Sequence, residues 1–179
     1  KEDIIKLFYL FHIFNRNGKF FQASSSYVFP KSKYRLSESS QKSPSSIYGH
    51  SKNLIDKACK EYRDNGYNCI NAYLFSHESY LRNKQSFSMK MIEKLRNHKN
   101  SKPFIIDDWN NMNDWSSAKN VVKFVYQALS SEINTDYVVG SGKLYSVLDY
   151  TKAINKEFNF IDPNLIVKGK NSNDISYRW

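Results

Sequence analysis

The sequence predicts an α/β chain with a mainly parallel sheet, and three observations carry that expectation. Short apolar and β-branched runs alternate with longer segments whose apolar residues recur at helical spacing. Strand and helix alternate along the whole chain, the pattern of strands joined by helical crossovers. With 179 residues and 40% hydrophobic content, the chain is about one domain long and has enough apolar material for a real core.

The elements follow in order. Residues 4–14 are almost continuously apolar, yet they fall short of the ~20 residues that a membrane span needs. No small-residue cleavage site follows, so the stretch reads as a buried helix rather than a signal-peptide core, closed by Asn15-Arg16-Asn17-Gly18. Residues 19–23 form a short buried strand that runs into Ser24-Ser25-Ser26, and a loop rich in Ser, Lys and Pro continues to Ile47. From residue 48 to about 65, Leu54, Ile55, Ala58 and Tyr62 recur at helical spacing, with Gly66 as the stop. Residues 69–75 are a second strand, 86–98 a helix and 103–106 a brief strand. Ser116 or Ser117 caps a helix to about 131, with Val121, Val122, Val125, Ala128 and Leu129 as its apolar face. A strand at 136–139 stops at Gly140-Ser141-Gly142. Ser146 and Asp149 have the spacing of a capping box for a last helix to about 158. The tail after Pro163 reads as irregular.

Composition narrows the function classes. The net charge of +10 invites a nucleic-acid reading, but the 27 basic residues are spread along the chain without a run of five. No Cys/His finger or aromatic RNA-binding motif accompanies them, so the surplus reads as a solvated surface, with neither nucleic acid nor membrane as partner. Cys59 and Cys69 are too few for a disulfide framework and have no metal spacing, which suits a reducing cytoplasm. Only 6 glycines occur, and neither a G-x-G-x-x-G turn nor a P-loop can be written from them.

In open parallel sheets, ligands bind beyond the carboxyl ends of the strands. The candidate regions are therefore 24–27, 76–82 and 140–142. Tyr48, 23 residues after Ser25, opens a helix with Lys52 one turn on, so both side chains lie on one face. An ammonium beside a phenol favours the phenolate. Such a Tyr can take the proton of a substrate hydroxyl as hydride leaves the same carbon, while a Ser hydroxyl orients that oxygen. Chance alone supplies roughly one or two Tyr-x-x-x-Lys pairs in such a composition, and this chain has three. Pro30 interrupts Tyr27/Lys31, and Tyr80/Lys84 sits in an aperiodic polar stretch. Only Tyr48/Lys52 opens a good helix downstream of a strand-end Ser cluster.

Several segments together resemble a known family. They are Phe21-Gln22-Ala23-Ser24-Ser25-Ser26, Tyr48-Gly49-His50-Ser51-Lys52, Leu74-Phe75-Ser76-His77-Glu78-Ser79, Asp114-Trp115 with Ala118-Lys119, and Tyr145-Ser146-Val147. In order and spacing they resemble the GDP-mannose 4,6-dehydratases of the extended short-chain dehydrogenase/reductase family, over about residues 5 to 165. The resemblance implies a Rossmann NADP domain with a smaller nucleotide-sugar region, and a reaction that oxidises C4 of the sugar, eliminates water across C5 and C6, and returns hydride to C6. It implies Tyr48 as base, Lys52 as the partner of Tyr48 and of the nicotinamide ribose, and Ser25 in place of the catalytic Thr. It further implies His77 and Arg82 at the cofactor and Ser76 facing the substrate. On residues alone, a satisfied partly buried histidine and a solvated loop charge compete for His77 and Arg82.

The departures matter as much. Tyr27 stands where the family has the Glu of the elimination step, and a phenol is a poor substitute for a carboxylate tuned to neutral pH. Glu38 aligns with a different acidic position, Asn113 stands where the family has Arg, and Asp107-Asp108 replace a Gly-Asn pair. Only 24 residues precede Ser25, whereas the family's Gly-rich turn lies about a hundred residues earlier, on the first strand of the fold. The sequence thus reads as a fragment lacking the N-terminal Gly-rich half. Residues 1–75 would be the second half of the Rossmann-like domain, and 76–179 a mixed substrate-binding region truncated at its end. Expected partners are a nucleotide sugar of the GDP-mannose kind and a homo-oligomer or separate N-terminal half. Three functions stay open: a dehydratase weakly active or inactive by itself, an epimerase or reductase without elimination, and a non-catalytic nucleotide-sugar-binding remnant.

Overall fold

The computed structural model describes residues 2–170 and 177–178. Helix α1 (Glu2–Phe14) leads into β1 (Phe20–Ser25), a 3-10 turn (Ser26–Val28) and the long helix α2 (Ile47–Asp64). Strands β2 (Cys69–Leu74) and β3 (Ser76–Glu78) follow, then α3 (Phe87–Arg96), β4 (Phe104–Ile106), β5 (Met112–Asn113) and β6 (Trp115–Ser117). Helix α4 (Ala118–Ser130), β7 (Asp136–Val139), β8 (Tyr145–Ser146), α5 (Val147–Phe158), β9 (Ile166–Lys168) and β10 (Tyr177–Arg178) complete the order.

The principal sheet is wholly parallel, in the order β1-β2-β7. Its central strand β2 is buried at five of its six positions, as a strand covered on both faces must be. Helix α2 packs across β1 and β2, where Phe8, Cys59 and Cys69 form a core with Phe20, Ile55, Ala58 and Tyr62. Val28, Phe29 and Tyr73 form another with Leu36 and Val138. A separate core of Met91, Leu95, Phe104, Ile106, Leu148, Ile161 and Ile166 ties α3 and α5 to the parallel pair β4-β9. Short pairings β3-β6 and β10-β5-β8 make two further small sheets. The α/β class and the parallel sheet agree with the sequence expectation.

Helix ends fall where side chains satisfy the first backbone N–H groups. Ser46, Ser86, Ser117 and Ser146 are the N-caps of α2, α3, α4 and α5. At α5 the capping box closes both ways: Ser146 Oγ accepts from the Asp149 N–H at 3.0 Å, and Asp149 Oδ2 accepts from the Ser146 N–H at 3.2 Å.

Three expectations need correction. Helix α1 is not a buried helix: Phe8 is packed against Phe20 and Tyr62, but Ile5, Leu7, Tyr9, Leu10, Ile13 and Phe14 are exposed. It is apolar on all sides, and α2 and β1 can cover only one of them. The tail after Pro163 is regular as far as Lys168, because a 3-10 turn at Pro163–Leu165 delivers β9 onto β4, with Ile166 opposite Phe104, while residues 171–176 and 179 lie outside the described residues. A three-residue strand is too short to show a period in sequence. On α4, Val121 and Ala128 are buried while Val122 and Leu129 face outward, and on α2 Leu54 is exposed. Among the described residues, no helix is long and apolar enough to cross a membrane.

Candidate active site

The carboxyl end of β1 builds the first part of the site. Ser25, extended at φ −150°, caps the 3-10 turn, its Oγ accepting from the Tyr27 N–H at 3.3 Å. Its hydroxyl keeps a proton to donate. Ser24, the residue before, turns to α2 and donates to Asp56 Oδ1 at 2.7 Å. Helix α2 approaches this turn closely because Gly49 has no side chain: a Cβ there would collide with the Tyr27 carbonyl oxygen and stand 2.9 Å from Pro44 Cβ. Tyr48 consequently meets Tyr27 edge-on, with ring centroids 5.8 Å apart. Lys52 Nζ donates to the Ala23 carbonyl at 2.8 Å and lies 5.7 Å from the centre of the Tyr48 ring. Tyr48 is 52% exposed, so its phenol is within reach of a substrate.

A cleft of 380 Å³ opens beside this corner, walled by Tyr27, Ser76, Glu78, Arg82, Phe87, Asn111, Met112, Asn113, Trp115 and Val147. That volume lies in the range of small-molecule sites. Strand β3 pairs in parallel with β6, and Asn113 Nδ2 donates to Ser76 Oγ at 2.9 Å. Ser76 and Asn113, the latter a departure from the pattern of the resemblance, therefore bond to each other in one wall. Glu78 Oε2 accepts from Ser88 Oγ at 2.6 Å and pairs with Arg82 Nε at 3.2 Å. Trp115 stacks on Tyr150 at 4.3 Å and on Phe87 at 6.1 Å. Burial, with Glu78 nearby, pushes the Tyr150 phenol up to about 12.

The structure thus gathers the expected residues into two adjoining groups. Ser25, Tyr48 and Lys52 meet at the end of β1 and the start of α2, and Tyr27, Ser76 and Arg82 line the cleft. His77 stands apart from the cleft wall, its Nδ1–H donating to the Phe75 carbonyl at 2.9 Å. At the third strand end, 140–142, a protein carboxylate takes the backbone donors beside a small cavity of 210 Å³. Buried Asp114 accepts from the Ser141 and Gly142 N–H groups, each at 2.8 Å, and Gly140 leaves room for its carboxylate. Glu38 accepts from the Val138 N–H at 2.7 Å, occupying an edge donor of β7. A larger apolar groove of 560 Å³ between α1 and α2 shares none of these residues.

Sequence reasoning missed Gly49, Asp56 and Asp114 as parts of this architecture. Gly49 stood inside the Tyr-x-x-x-Lys segment, and a glycine in the first turn of an otherwise good helix is the signal for a close approach. Asp56 sits among the apolar positions of α2, where an acid is out of place. Nothing local marks Asp114, whose partners lie 27 and 28 residues away.

A parallel sheet with a serine pair closing its first strand, followed by a helix that opens on Tyr48 and Lys52, defines a Rossmann-like protein of the sugar-nucleotide epimerase/dehydratase class. Solved structures share the fold. The dTDP-glucose 4,6-dehydratase of Bacillus anthracis, in complex with NAD, superposes with a TM-score of 0.80 at 17% identity, over 97% of this chain and 56% of that one. The UDP-N-acetylglucosamine 4-epimerase of Methanobrevibacter ruminantium gives 0.79 at 19% identity, over 94% and 56%. More particularly, the chain belongs to the GDP-mannose 4,6 dehydratase family, whose model matches residues 4–177. GDP-mannose 4,6 dehydratases of Drosophila melanogaster and Homo sapiens are 28% and 26% identical to it, over 89% and 88% of this chain. The chain spans 41% and 42% of the length of those two relatives.

Proposed function

We propose that this chain supplies the proton-transfer group and the sugar-side cleft of an NADP-dependent sugar-nucleotide dehydratase of the GDP-mannose type. The observation that supports this most is the fixing of Lys52 to the backbone of β1 beside Tyr48 and Ser25, next to a cleft of suitable size. Tyr48 takes the proton of a sugar hydroxyl, and Ser25 donates to the same oxygen and orients it. Ser76 and Arg82 face the bound sugar nucleotide and cofactor from the cleft wall, with His77 behind them.

The residues fit one end of the dinucleotide. Lys52 and the exposed Tyr48 suit the nicotinamide ribose, whereas a pyrophosphate needs a nest of backbone N–H groups, and the 6 glycines form no such Gly-rich turn. That floor would be contributed by residues outside this sequence, with 1–75 completing the Rossmann side and 76–179 the substrate side. When bound, the nicotinamide supplies the acceptor for hydride from the sugar carbon.

A specific observation favours a second reading, an epimerase or reductase that oxidises C4 without eliminating water. Tyr27 is the wall residue closest in sequence to Ser25, and the carboxylate of the cleft, Glu78, is already engaged by Ser88 and Arg82. The product formed from GDP-mannose and NADP by this chain, joined with a Gly-rich half, separates the two. A 4-keto-6-deoxy sugar supports the dehydratase, and a C4-ketone or C4-epimer supports the second reading. Unchanged GDP-mannose overturns both.

A further inference from the structure

Asp56 is buried on the face of α2 that packs against the sheet, 4% exposed, and neither the family resemblance nor the cleft accounts for it. It lies one turn beyond Lys52 and two turns beyond Tyr48, on the same side of the helix. Its Oδ1 accepts from Ser24 Oγ at 2.7 Å, while Lys52 Nζ donates to the Ala23 carbonyl at 2.8 Å. Two successive residues of β1 are therefore each tied to α2 immediately before Ser25. The Ser24 bond is the buried one of the two, so water competes for it least.

The arrangement is costly. Among the described residues Asp56 Oδ2 makes no hydrogen bond of good geometry, nor do Oδ1 and Nδ2 of Asn71, which is fully buried on the neighbouring strand β2 and only weakly favours the Asp56 carboxylate. Buried polar groups without partners destabilise a fold, and an apolar residue of similar size at position 56 would be more stable. The helix around it is otherwise filled conventionally, with Ile55, Ala58, Cys59 and Tyr62 in the core. A buried acid that weakens the fold yet bonds the strand beside Ser25 has the character of a specificity device: it admits one register of α2 on β1 and rejects sliding.

We propose that Asp56, through Ser24, is a positioning residue that fixes Tyr48 and Lys52 relative to Ser25. This rests on the hydride-transfer reading above for its catalytic consequence, but not for its geometry. Asp56→Asn keeps an oxygen that accepts from Ser24, whereas Asp56→Ala and Ser24→Ala remove the bond.

The test uses the full chain with ¹³C-labelled tyrosine, the Tyr48 and Tyr27 ring resonances being assigned from Tyr48→Phe and Tyr27→Phe. Because the two rings meet edge-on, their shifts report the placement of α2 on the turn. Asp56→Ala and Ser24→Ala are expected to move both resonances, the double variant to move them no further, and Asp56→Asn to leave them near the wild-type positions. Resonances unmoved in both alanine variants, or moved as far by Asp56→Asn, overturn the proposal. Where GDP-mannose turnover is measurable, both alanine variants should lower kcat roughly tenfold to a hundredfold with KM little changed. Asp56→Asn should recover most of that loss, and an unchanged kcat in both alanine variants also overturns the proposal. Absence of turnover in the wild type counts against the hydride-transfer reading alone, since the ring resonances still decide the role of Asp56.

Discussion

Asp56 shows how one side chain links the chemistry of the site to the stability of the whole. Burial raises its pKa above the ordinary 3.8, with Asp136 adding to the rise and Ser24, Lys42 and Asn71 opposing it. The folded chain therefore holds this proton more tightly than the unfolded chain does. The stability that the neutral acid contributes is present at low pH and is lost as pH rises from the unfolded value through the raised one. Asp56→Asn stays neutral throughout, so its melting temperature should exceed that of the wild type at pH ~7, and the gap should close toward pH ~4. A gap that is constant across this range, or that widens on acidification, would show that Asp56 ionises freely in the fold. At this scale the sequence showed Tyr48 and Lys52 clearly, because a helical spacing and a strand-end Ser cluster are local signals. It showed Asp56 only as an acid out of place among apolar helix positions, and not its partner, because Ser24 lies on another strand 32 residues away.

The element that matters most is the first turn of α2. Its placement depends on Gly49, where an added Cβ meets the Tyr27 carbonyl oxygen and Pro44. Gly49→Val should cost about 1–3 kcal/mol, as overpacking does, and should separate the Tyr27 and Tyr48 rings. Urea denaturation at neutral pH measures the first effect, and an unchanged midpoint would mean that the turn gives way without penalty. Helix α2 was legible from apolar spacing and α4 and α5 also from serine caps, α3 was read as a helix over 86–98, and β1, β2 and β7 were legible from runs of apolar residues. Strands β3, β5, β6, β8 and β9 were not, since elements of two or three residues owe their existence to partners elsewhere in the chain. Ser76, for instance, is in strand geometry because Trp115 lies beside it. Helix α1 was legible as a helix but not as an exposed one, because apolarity records what a surface prefers to touch and not what is there to touch it.

For the molecule as a whole, the parallel order β1-β2-β7 and the corner where β1 meets α2 place Ser25, Tyr48 and Lys52 together beside a cleft whose other walls come from residues between Ser76 and Val147. The scarcity of glycine bears on how the proposed site would work, since the residues proposed to handle the sugar hydroxyl are here, whereas the 6 glycines form no Gly-rich cradle for a pyrophosphate. The most direct test is conversion of GDP-mannose in the presence of NADP, followed by NMR of the sugar because the hydride returns to it and leaves no net NADPH, with this chain joined to a Gly-rich half and compared with the same assembly carrying Tyr48→Phe. The account predicts conversion of the sugar by the wild type and a rate lower by roughly a hundredfold or more in the variant, the scale of a lost general base. Equal rates in the two would contradict it.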